Sequence, residues 1–231
     1  SGQKEISLQD LSTKRQIKYP VNELDGRRIP YAFDDTETRY FAYSPGNGVV
    51  LVKSLTDQST MSSRYFGGEI TLIRSIPGSD KLLVITQFKD INENRYTVKV
   101  WDLSKPAESP KVLRLQGYNV QHARVSEQGD RIALSNFSDI RIFSLDNLDN
   151  ETVVIKPPKN AYINDIAFRP DGLAVVSGDQ DGNVNIWDVL TGKPLLHFSN
   201  VWAGQKYRVD RLTYAYGGTK LRLFSPGRIF T

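Results

Sequence analysis

The sequence predicts an all-β protein built from a repeated, four-stranded antiparallel unit, and three observations support this fold class. Short runs rich in β-branched and aromatic residues recur along the chain, with Gly, Pro, Asn and Asp turns between them. Few windows space their apolar residues as an amphipathic helix requires. The runs also return at nearly constant intervals, which indicates one structural unit copied several times.

The strand-like runs share one frame. VKVWDLS at 98–104 matches VNIWDVL at 184–190, and IRIFSLD at 140–146 fits the same pattern. ISLQDLS at 6–12 and VLVKSLT at 50–56 are weaker copies. The apolar residues that close the five copies are spaced by 44, 48, 42 and 44 positions: Leu11, Leu55, Leu103, Leu145 and Val189.

The clearest copy, at residues 161–198, shows what one repeat contains. It predicts four strands in succession, INDIAF, LAVVSG, VNIWDV and PLLHF, separated by short turns. One antiparallel sheet of this size cannot bury both of its faces alone. Stacking such sheets radially buries them, so the repeat predicts a β-propeller whose blades are four-stranded antiparallel sheets.

The segments AFRPDG, SGDQDGNVNIWD and VKVWDL resemble WD40 repeats, and the resemblance extends over essentially the whole chain. It implies that Trp101–Asp102 and Trp187–Asp188 are the repeat signature and that Trp187 packs between neighbouring sheets. It also implies that Asp181 is the turn aspartate between the second and third strands, with Gly182 at positive φ. The repeats are degenerate, because none has the family's Gly-His pair, so the buried His–Asp network is expected to be absent.

The strands of the repeat that each end of the chain contains predict the number of blades. Residues 1–19 read as a third and a fourth strand, and 207–231 read as a first, a second and the start of a third. We expect a single domain over 1–231 with five blades, the last shared between the two termini. The alternative is a fragment of a seven-bladed ring. The expected blades cover 28–66, 69–116, 118–156, 161–199, and 207–231 completed by 1–19.

Composition narrows the possible functions. The 30 basic residues are interleaved with 26 acidic ones at a net charge of +4, so no basic stripe for nucleic acid is expected. No apolar run is long enough to span a bilayer. The chain has no Cys, which excludes disulfides and fits a reducing compartment. A cytoplasmic location is therefore expected.

Metal and cofactor sites are not expected. Asp179, Asp181 and Asn183 alternate like the start of a calcium loop, but the positions that require Gly and Glu hold Val184 and Leu190. The sequence therefore favours a structural turn. The only two histidines, His122 and His197, lie in different repeats, so a transition-metal site is not expected either.

No catalytic motif is found, and the chain is expected not to be an enzyme. Neither a Gly-x-Ser-x-Gly elbow nor a Gly-x-x-x-x-Gly-Lys loop is present. One alternative is a glycoside-hydrolase propeller, with Glu69, Asp165 and Asp210 as candidate carboxylates near first strands. Another is a lectin-like propeller in which Trp202 and nearby Tyr residues stack on sugars.

The sequence favours a non-catalytic protein-interaction module, a scaffold or sensor within a larger protein. Its partner would be another protein, a peptide or another domain of the same parent. Binding is expected on the rim where the inter-blade connections meet the second-to-third-strand loops, which include the polar segment at 87–97. Tyr, Trp and Arg are typical of binding hot spots. The predicted rim residues are Arg95, Tyr118, Tyr162, Trp202, Tyr207 and Arg208. These aromatic residues could instead seal the ring.

Overall fold

The computed structural model describes residues 4–9, 16–21, 30–34, 39–89, 94–148, 151–158, 162–201, 207–215, 218–225 and 228–230. All regular secondary structure in these ranges is β-strand. The chain divides into two compact units, Ser1–Gly117 and Tyr118–Thr231, which are described separately.

The first unit contains three antiparallel sheets in which neighbouring strands follow chain order. Sheet A pairs β1 (Lys4–Gln9) with β2 (Gln16–Val21). Sheet B consists of β3 (Tyr31–Phe33), β4 (Tyr40–Gly46), β5 (Val49–Ser54) and β6 (Thr60–Tyr65). Sheet C consists of β7 (Glu69–Ile76), β8 (Lys81–Lys89), β9 (Asn94–Asp102) and β10 (Lys111–Leu115).

The second unit repeats this plan. Sheet D consists of β11 (His122–Val125), β12 (Arg131–Ser135), β13 (Ile140–Ser144) and β14 (Glu151–Ile155). Sheet E consists of β15 (Ile163–Phe168), β16 (Ala174–Asp179), β17 (Val184–Asp188) and β18 (Pro194–Phe198). Sheet F consists of β19 (Arg211–Ala215), β20 (Lys220–Ser225) and β21 (Arg228–Phe230).

Neighbouring sheets within a unit pack face to face, because each strand turns apolar side chains toward the next sheet. One core cluster joins sheets B and C around Trp101, with Ala42, Val50, Ile73 and Leu82 in contact. A second cluster joins sheets D and E around Trp187, and a third joins sheets E and F. Burial of these apolar side chains is the main stabilising term.

The predicted fold class, an all-β propeller of four-stranded antiparallel blades, is confirmed. The blade boundaries, the single domain over 1–231 and the ring closed by a shared fifth blade stay predictions. One local expectation is wrong. The segment at 87–97 is not a loop throughout, because β8 continues to Lys89 and β9 begins at Asn94, where the two residues pair. Positions 90–93 between them lie outside the described residues.

Candidate binding site

The turn between β16 and β17 is closed by Asp179 rather than by Asp181. One carboxylate oxygen of Asp179 accepts hydrogen bonds from the backbone amides of Asp181 (2.9 Å) and Asn183 (2.8 Å). The other accepts from the Asn183 side-chain amide at 2.8 Å, and Gly182 takes φ +80°. The sequence-based assignment of this role to Asp181 is corrected. Asp181 itself is exposed. Both carboxylate oxygens of Asp179 accept hydrogen bonds within the turn, so this segment is a structural turn.

The Trp residues of the repeat signature are both buried, but their indole nitrogens find different partners. Trp187 donates to the Ser177 hydroxyl on the adjacent strand at 2.9 Å. Trp101 donates to the Pro106 carbonyl at 3.4 Å, a long bond, and its ring meets Phe66 edge-on with centroids 5.6 Å apart. The shared feature is therefore burial between two sheets, and the hydrogen bond depends on the local partner.

The Asp that follows each Trp caps the next turn. Asp102 accepts from both the hydroxyl (2.6 Å) and the amide (2.9 Å) of Ser104. Asp188 accepts from the hydroxyl and amide of Thr191, at 2.8 and 2.7 Å. The hydroxyl bonds are the largest cause of a lowered pKa at both carboxyl groups, because they stabilise the charged form.

An exposed aromatic pair lies where sheets D and E meet. Tyr162 stands directly before β15, and its ring stacks on Phe137 with centroids 4.2 Å apart and planes at 24°. Their exposed fractions are 40% and 37%. Backbone hydrogen bonds fix the pair: Ile163 donates to the Phe137 carbonyl at 3.0 Å, and Gln180 donates to the Tyr162 carbonyl at 3.1 Å. This end of the two sheets therefore presents an ordered apolar platform.

Phe137 was not among the predicted rim residues. It lies in the turn between β12 and β13, whose ends are fixed by the Asn136 side chain. A large aromatic residue in a polar turn, NFSD, was the signal available in the sequence.

The expectation that Tyr118 lies on the accessible rim is wrong. Its side chain is 1% exposed, and its hydroxyl donates to the carbonyl of Leu134 and accepts from the amide of Asn136, at 2.9 and 3.1 Å. Burial, followed by the neighbouring Asp139, raises the pKa of Tyr118 far above its usual value. Arg141 covers the ring at 4.3 Å, so Tyr118 is a structural residue of the second unit.

The other predicted rim residues differ in accessibility. Arg95 is exposed and lies opposite Phe88 on the neighbouring strand. Tyr207 is half-buried and packs against the core between sheets E and F. Arg208 is exposed and forms an ion pair with Asp210. Trp202 lies outside the described residues.

The carboxylates considered for glycoside hydrolysis are each held by a cation. Asp165 is buried, pairs with Arg124 and accepts from the Leu212 amide at 2.8 Å. Glu69 pairs with Lys89 at 3.3 Å, and Asp210 pairs with Arg208 as described above. Both oxygens of Asp165 accept hydrogen bonds, so this carboxylate links sheet E to the first strands of sheets D and F.

The two histidines lie in separate environments. The imidazole of His122 is 3.7 Å from the Asp165 carboxylate, and burial lowers its pKa despite that charge. His197, on the exposed strand β18, shares a 2.7 Å hydrogen bond with Asn185. Within the described residues, no group of three His, Asp or Glu side chains could hold a metal ion. The same part of the chain contains no helix long and apolar enough to cross a membrane.

Comparison with known proteins identifies the repeat. The family model described as "WD domain, G-beta repeat" matches residues 151–188, which run from β14 through β17. The chain is 31% identical over 113 residues to telomerase protein component 1 of Rattus norvegicus, covering 48% of this chain and 4% of the relative. It is 27% identical over 96 residues to nuclear distribution protein nudF of Aspergillus niger, covering 42% and 22%.

A further match is 26% identical over 129 residues to the carbamoyl phosphate synthase small chain of Gracilaria tenuistipitata var. liui, covering 52% of this chain and 31% of the relative. The chain therefore spans less than a third of the length of each of these curated relatives.

The repeated four-stranded sheets, with one apolar core between each packed pair, define a β-propeller assembled from blades. Residues 151–188 match the WD40 repeat model, and the similarity to WD-repeat relatives supports the WD40 family for this fold. WD40 domains generally bind other proteins and are generally non-catalytic.

Proposed function

We propose that this chain is a non-catalytic interaction module, a scaffold or sensor that forms part of a larger, cytoplasmic protein. Its partner is another protein, a peptide or another domain of the same parent. The matched relatives support the proposal that the chain is part of a larger protein, because each relative is several times longer than its matched region.

The stacked pair Phe137–Tyr162 carries this proposal. Each of the two residues leaves more than a third of its surface exposed to water, although a buried aromatic side chain contributes far more stability than an exposed one. The two backbones are held by hydrogen bonds and the two rings are ordered by stacking on each other, so less side-chain entropy is lost when a partner binds. Rigid, partly exposed aromatics are the residues on which binding energy concentrates.

The predicted rim residues of the second unit, Trp202, Tyr207 and Arg208, are proposed to bind the partner together with this pair. Arg95 of the first unit stays a separate predicted binding residue. Tyr118 is omitted because it is buried. Binding on the ends of the sheets leaves the blade faces free to pack on one another, so recognition and stability use different side chains.

The experiment is affinity capture with three versions of the chain as bait, followed by quantitative mass spectrometry. The test variant is Phe137→Ala with Tyr162→Ala. The control is Leu173→Ala with Leu190→Ala, which removes exposed apolar side chains from turns elsewhere on sheet E. We expect partners retained by the wild type and the control to fall about tenfold with the test variant, the loss typical of hot-spot residues. Equal retention by both variants would place the binding surface elsewhere.

The same protein and its variants also test whether the chain binds sugars. If the chain captures no protein but binds to a glycan array, and if this binding requires Tyr162, the chain is a lectin and the proposal is wrong. Hydrolysis of a furanoside substrate abolished by Asp165→Asn would replace it with an enzyme.

A further inference from the structure

The loop between β9 and β10, residues 103–110, is held against the neighbouring sheet by an arginine. Arg64 of β6 extends from sheet B, and its Nη1 group donates to the carbonyl oxygens of Pro106 and Glu108, both at 2.7 Å. The Pro106 carbonyl also accepts a hydrogen bond from the indole of the buried Trp101. The loop therefore takes part in the packing of sheet B on sheet C.

Arg64 keeps hydrogen-bond donors that it does not use in this contact. Among the described residues, no carboxylate pairs with Arg64, and its Nε and Nη2 groups have no hydrogen-bond partner. A guanidinium group presents its N–H donors in a planar fork that matches the oxygens of a phosphate. The side chain is therefore oriented by two carbonyl oxygens and can still bind an anion.

The residue after Glu108 is an exposed serine, Ser109. The Glu108 carbonyl carbon is bonded to the Ser109 nitrogen, so the Ser109 hydroxyl lies within about 7 Å of the Arg64 Nη1 group. In the described part of the chain this hydroxyl has no hydrogen-bond partner. A phosphate on Ser109 could therefore reach Arg64 without breaking an existing bond.

The position of Ser109 suits a protein kinase that requires proline after the acceptor. The sequence contains three Ser-Pro pairs, which begin at Ser44, Ser109 and Ser225. Ser44 and Ser225 are buried, with exposed fractions of 2% and 5%, whereas Ser109 is exposed. Pro110 restricts the backbone of Ser109 to extended conformations, and both residues lie outside the turns of the loop. An exposed, extended serine is accessible to the active site of another enzyme.

The charges near Ser109 favour a phosphate. Arg64, Lys105 and Lys111 supply three positive charges, and all the carboxylate charge of residues 103–111 comes from Glu108. Glu108 is paired with Lys105 at 3.4 Å, which reduces its repulsion of a second anion. A dianion on Ser109 would therefore enter surroundings that carry net positive charge.

We propose that Ser109 is a phosphorylation site and that Arg64 binds its phosphate. A proline-directed kinase transfers the γ-phosphoryl group of a nucleoside triphosphate. The bond between the Ser109 Oγ and phosphorus forms, the bond to the leaving nucleoside diphosphate breaks, and the hydroxyl proton passes to the catalytic base of the kinase. The phosphate has three acceptor oxygens and a charge near −2, so it accepts from Nε and Nη2 while Nη1 keeps its bonds to the loop. Phosphorylation thus adds a second attachment between this loop and sheet B.

The first test asks whether the folded chain is a substrate. The chain is incubated with a purified proline-directed kinase and ATP, and the product is analysed by intact mass and by fragmentation. We expect one phosphate, on Ser109, with none on Ser44 or Ser225 and none in the variant Ser109→Ala. Failure of the folded wild type to take up phosphate at Ser109 would overturn the proposal.

The second test compares the Tm of the phosphorylated and unphosphorylated forms of three chains at low ionic strength. The chains are the wild type, Arg64→Gln and the control Lys156→Gln, which removes the same charge from an exposed position of the second unit. We expect phosphorylation to raise the Tm by about 2 to 4 °C in the wild type and the control, and by less than about 1 °C in Arg64→Gln. Each difference is taken within one chain, so any loss of stability caused by Arg64→Gln itself cancels. Equal rises in the wild type and Arg64→Gln would show that Arg64 does not bind the phosphate.

Phosphorus NMR gives a readout that does not depend on stability. The second pKa of phosphoserine is ordinarily about 6, and a bound guanidinium lowers it because it stabilises the dianion. The titration midpoint should therefore lie at lower pH in the wild type and in Lys156→Gln than in Arg64→Gln. Equal midpoints in all three chains would contradict the assignment. The proposal is independent of the Phe137–Tyr162 pair, because the variant Phe137→Ala with Tyr162→Ala should be phosphorylated to the same extent as the wild type.

Discussion

Sheet B packs on sheet C in the same arrangement as sheet D packs on sheet E. The polar contacts between the sheets differ in the two cases. In both, a Trp of the third strand is buried against the preceding sheet. In the second unit, the buried Asp165 carboxylate pairs with the partly buried Arg124 and links the first strands of sheets D and E. In the first unit, the link is Arg39, which is half exposed and bridges Asp34 and Asp80 at 3.2 and 2.6 Å.

This difference shows which parts of the repeat are interchangeable. The buried Trp is common to both pairs of sheets. The polar contacts between the sheets are made by different residues in each pair. In the first unit, Arg64 of β6 donates to the carbonyls of Pro106 and Glu108, both at 2.7 Å. In the second, Gln128 donates to the Pro170 carbonyl at 2.7 Å. Stability should therefore respond similarly to loss of either Trp and differently to loss of the polar links.

The largest effect is expected from Trp101→Ala and Trp187→Ala. Each removes a large, buried side chain and leaves a cavity, so each should lower the free energy of unfolding by about 3 to 5 kcal/mol. Urea denaturation monitored by circular dichroism measures both. A loss below about 1 kcal/mol in one variant would show that its two sheets do not depend on the Trp.

The next largest effect is expected from Asp165→Asn. The substitution leaves the partly buried Arg124 guanidinium without the charge of the buried Asp165 carboxylate and should cost about 2 kcal/mol. The matched change in the first unit is Asp80→Asn, which should cost much less and only at low salt, because its partner Arg39 is solvent-exposed. Equal losses in the two variants at high salt would contradict the contrast between a buried and an exposed link.

A subtler contrast separates the two Trp residues. Trp187→Phe leaves the buried Ser177 hydroxyl without its 2.9 Å donor, whereas Trp101→Phe loses only a 3.4 Å bond. Trp187→Phe should therefore cost about 1 kcal/mol more than Trp101→Phe. Adding Ser177→Ala to Trp187→Phe should recover part of that difference in a denaturation series. A smaller loss for Trp187→Phe than for Trp101→Phe would show that the Ser177 bond contributes little.

Much of the fold was predictable because it depends on short-range sequence patterns. The VKVWDLS and VNIWDVL frames correspond to β9 and β17, and the alternation of apolar residues predicts which faces pack. The site was less predictable, because its geometry depends on backbone groups and on neighbouring sheets. Tyr118 precedes a first strand just as Tyr162 does, but the carbonyl of Leu134 and the amide of Asn136 bind its hydroxyl inside the protein.

The choice between Asp179 and Asp181 shows a second limit. Both lie within reach of the turn amides by spacing alone, and only the backbone path reveals that the carboxylate of Asp179 points into the turn. Phe137 was missed because stacking requires a residue from the next sheet.

The smallest expected effect is a pH dependence that belongs to the second unit alone. Burial lowers the pKa of His122 below its ordinary value of 6.5, with Asp165 opposing and Arg124 reinforcing this shift. The unfolded chain therefore binds a proton at a pH where the folded chain does not, so stability is full above about pH 6.5 and decreases as the pH falls below it. His122→Asn should flatten the dependence of unfolding free energy on pH between 7.5 and about 5.5, a window that avoids carboxylate titration. Retention of the wild-type slope in this variant would assign the proton uptake to another group, and a slope of opposite sign would show that the attraction of Asp165 outweighs burial.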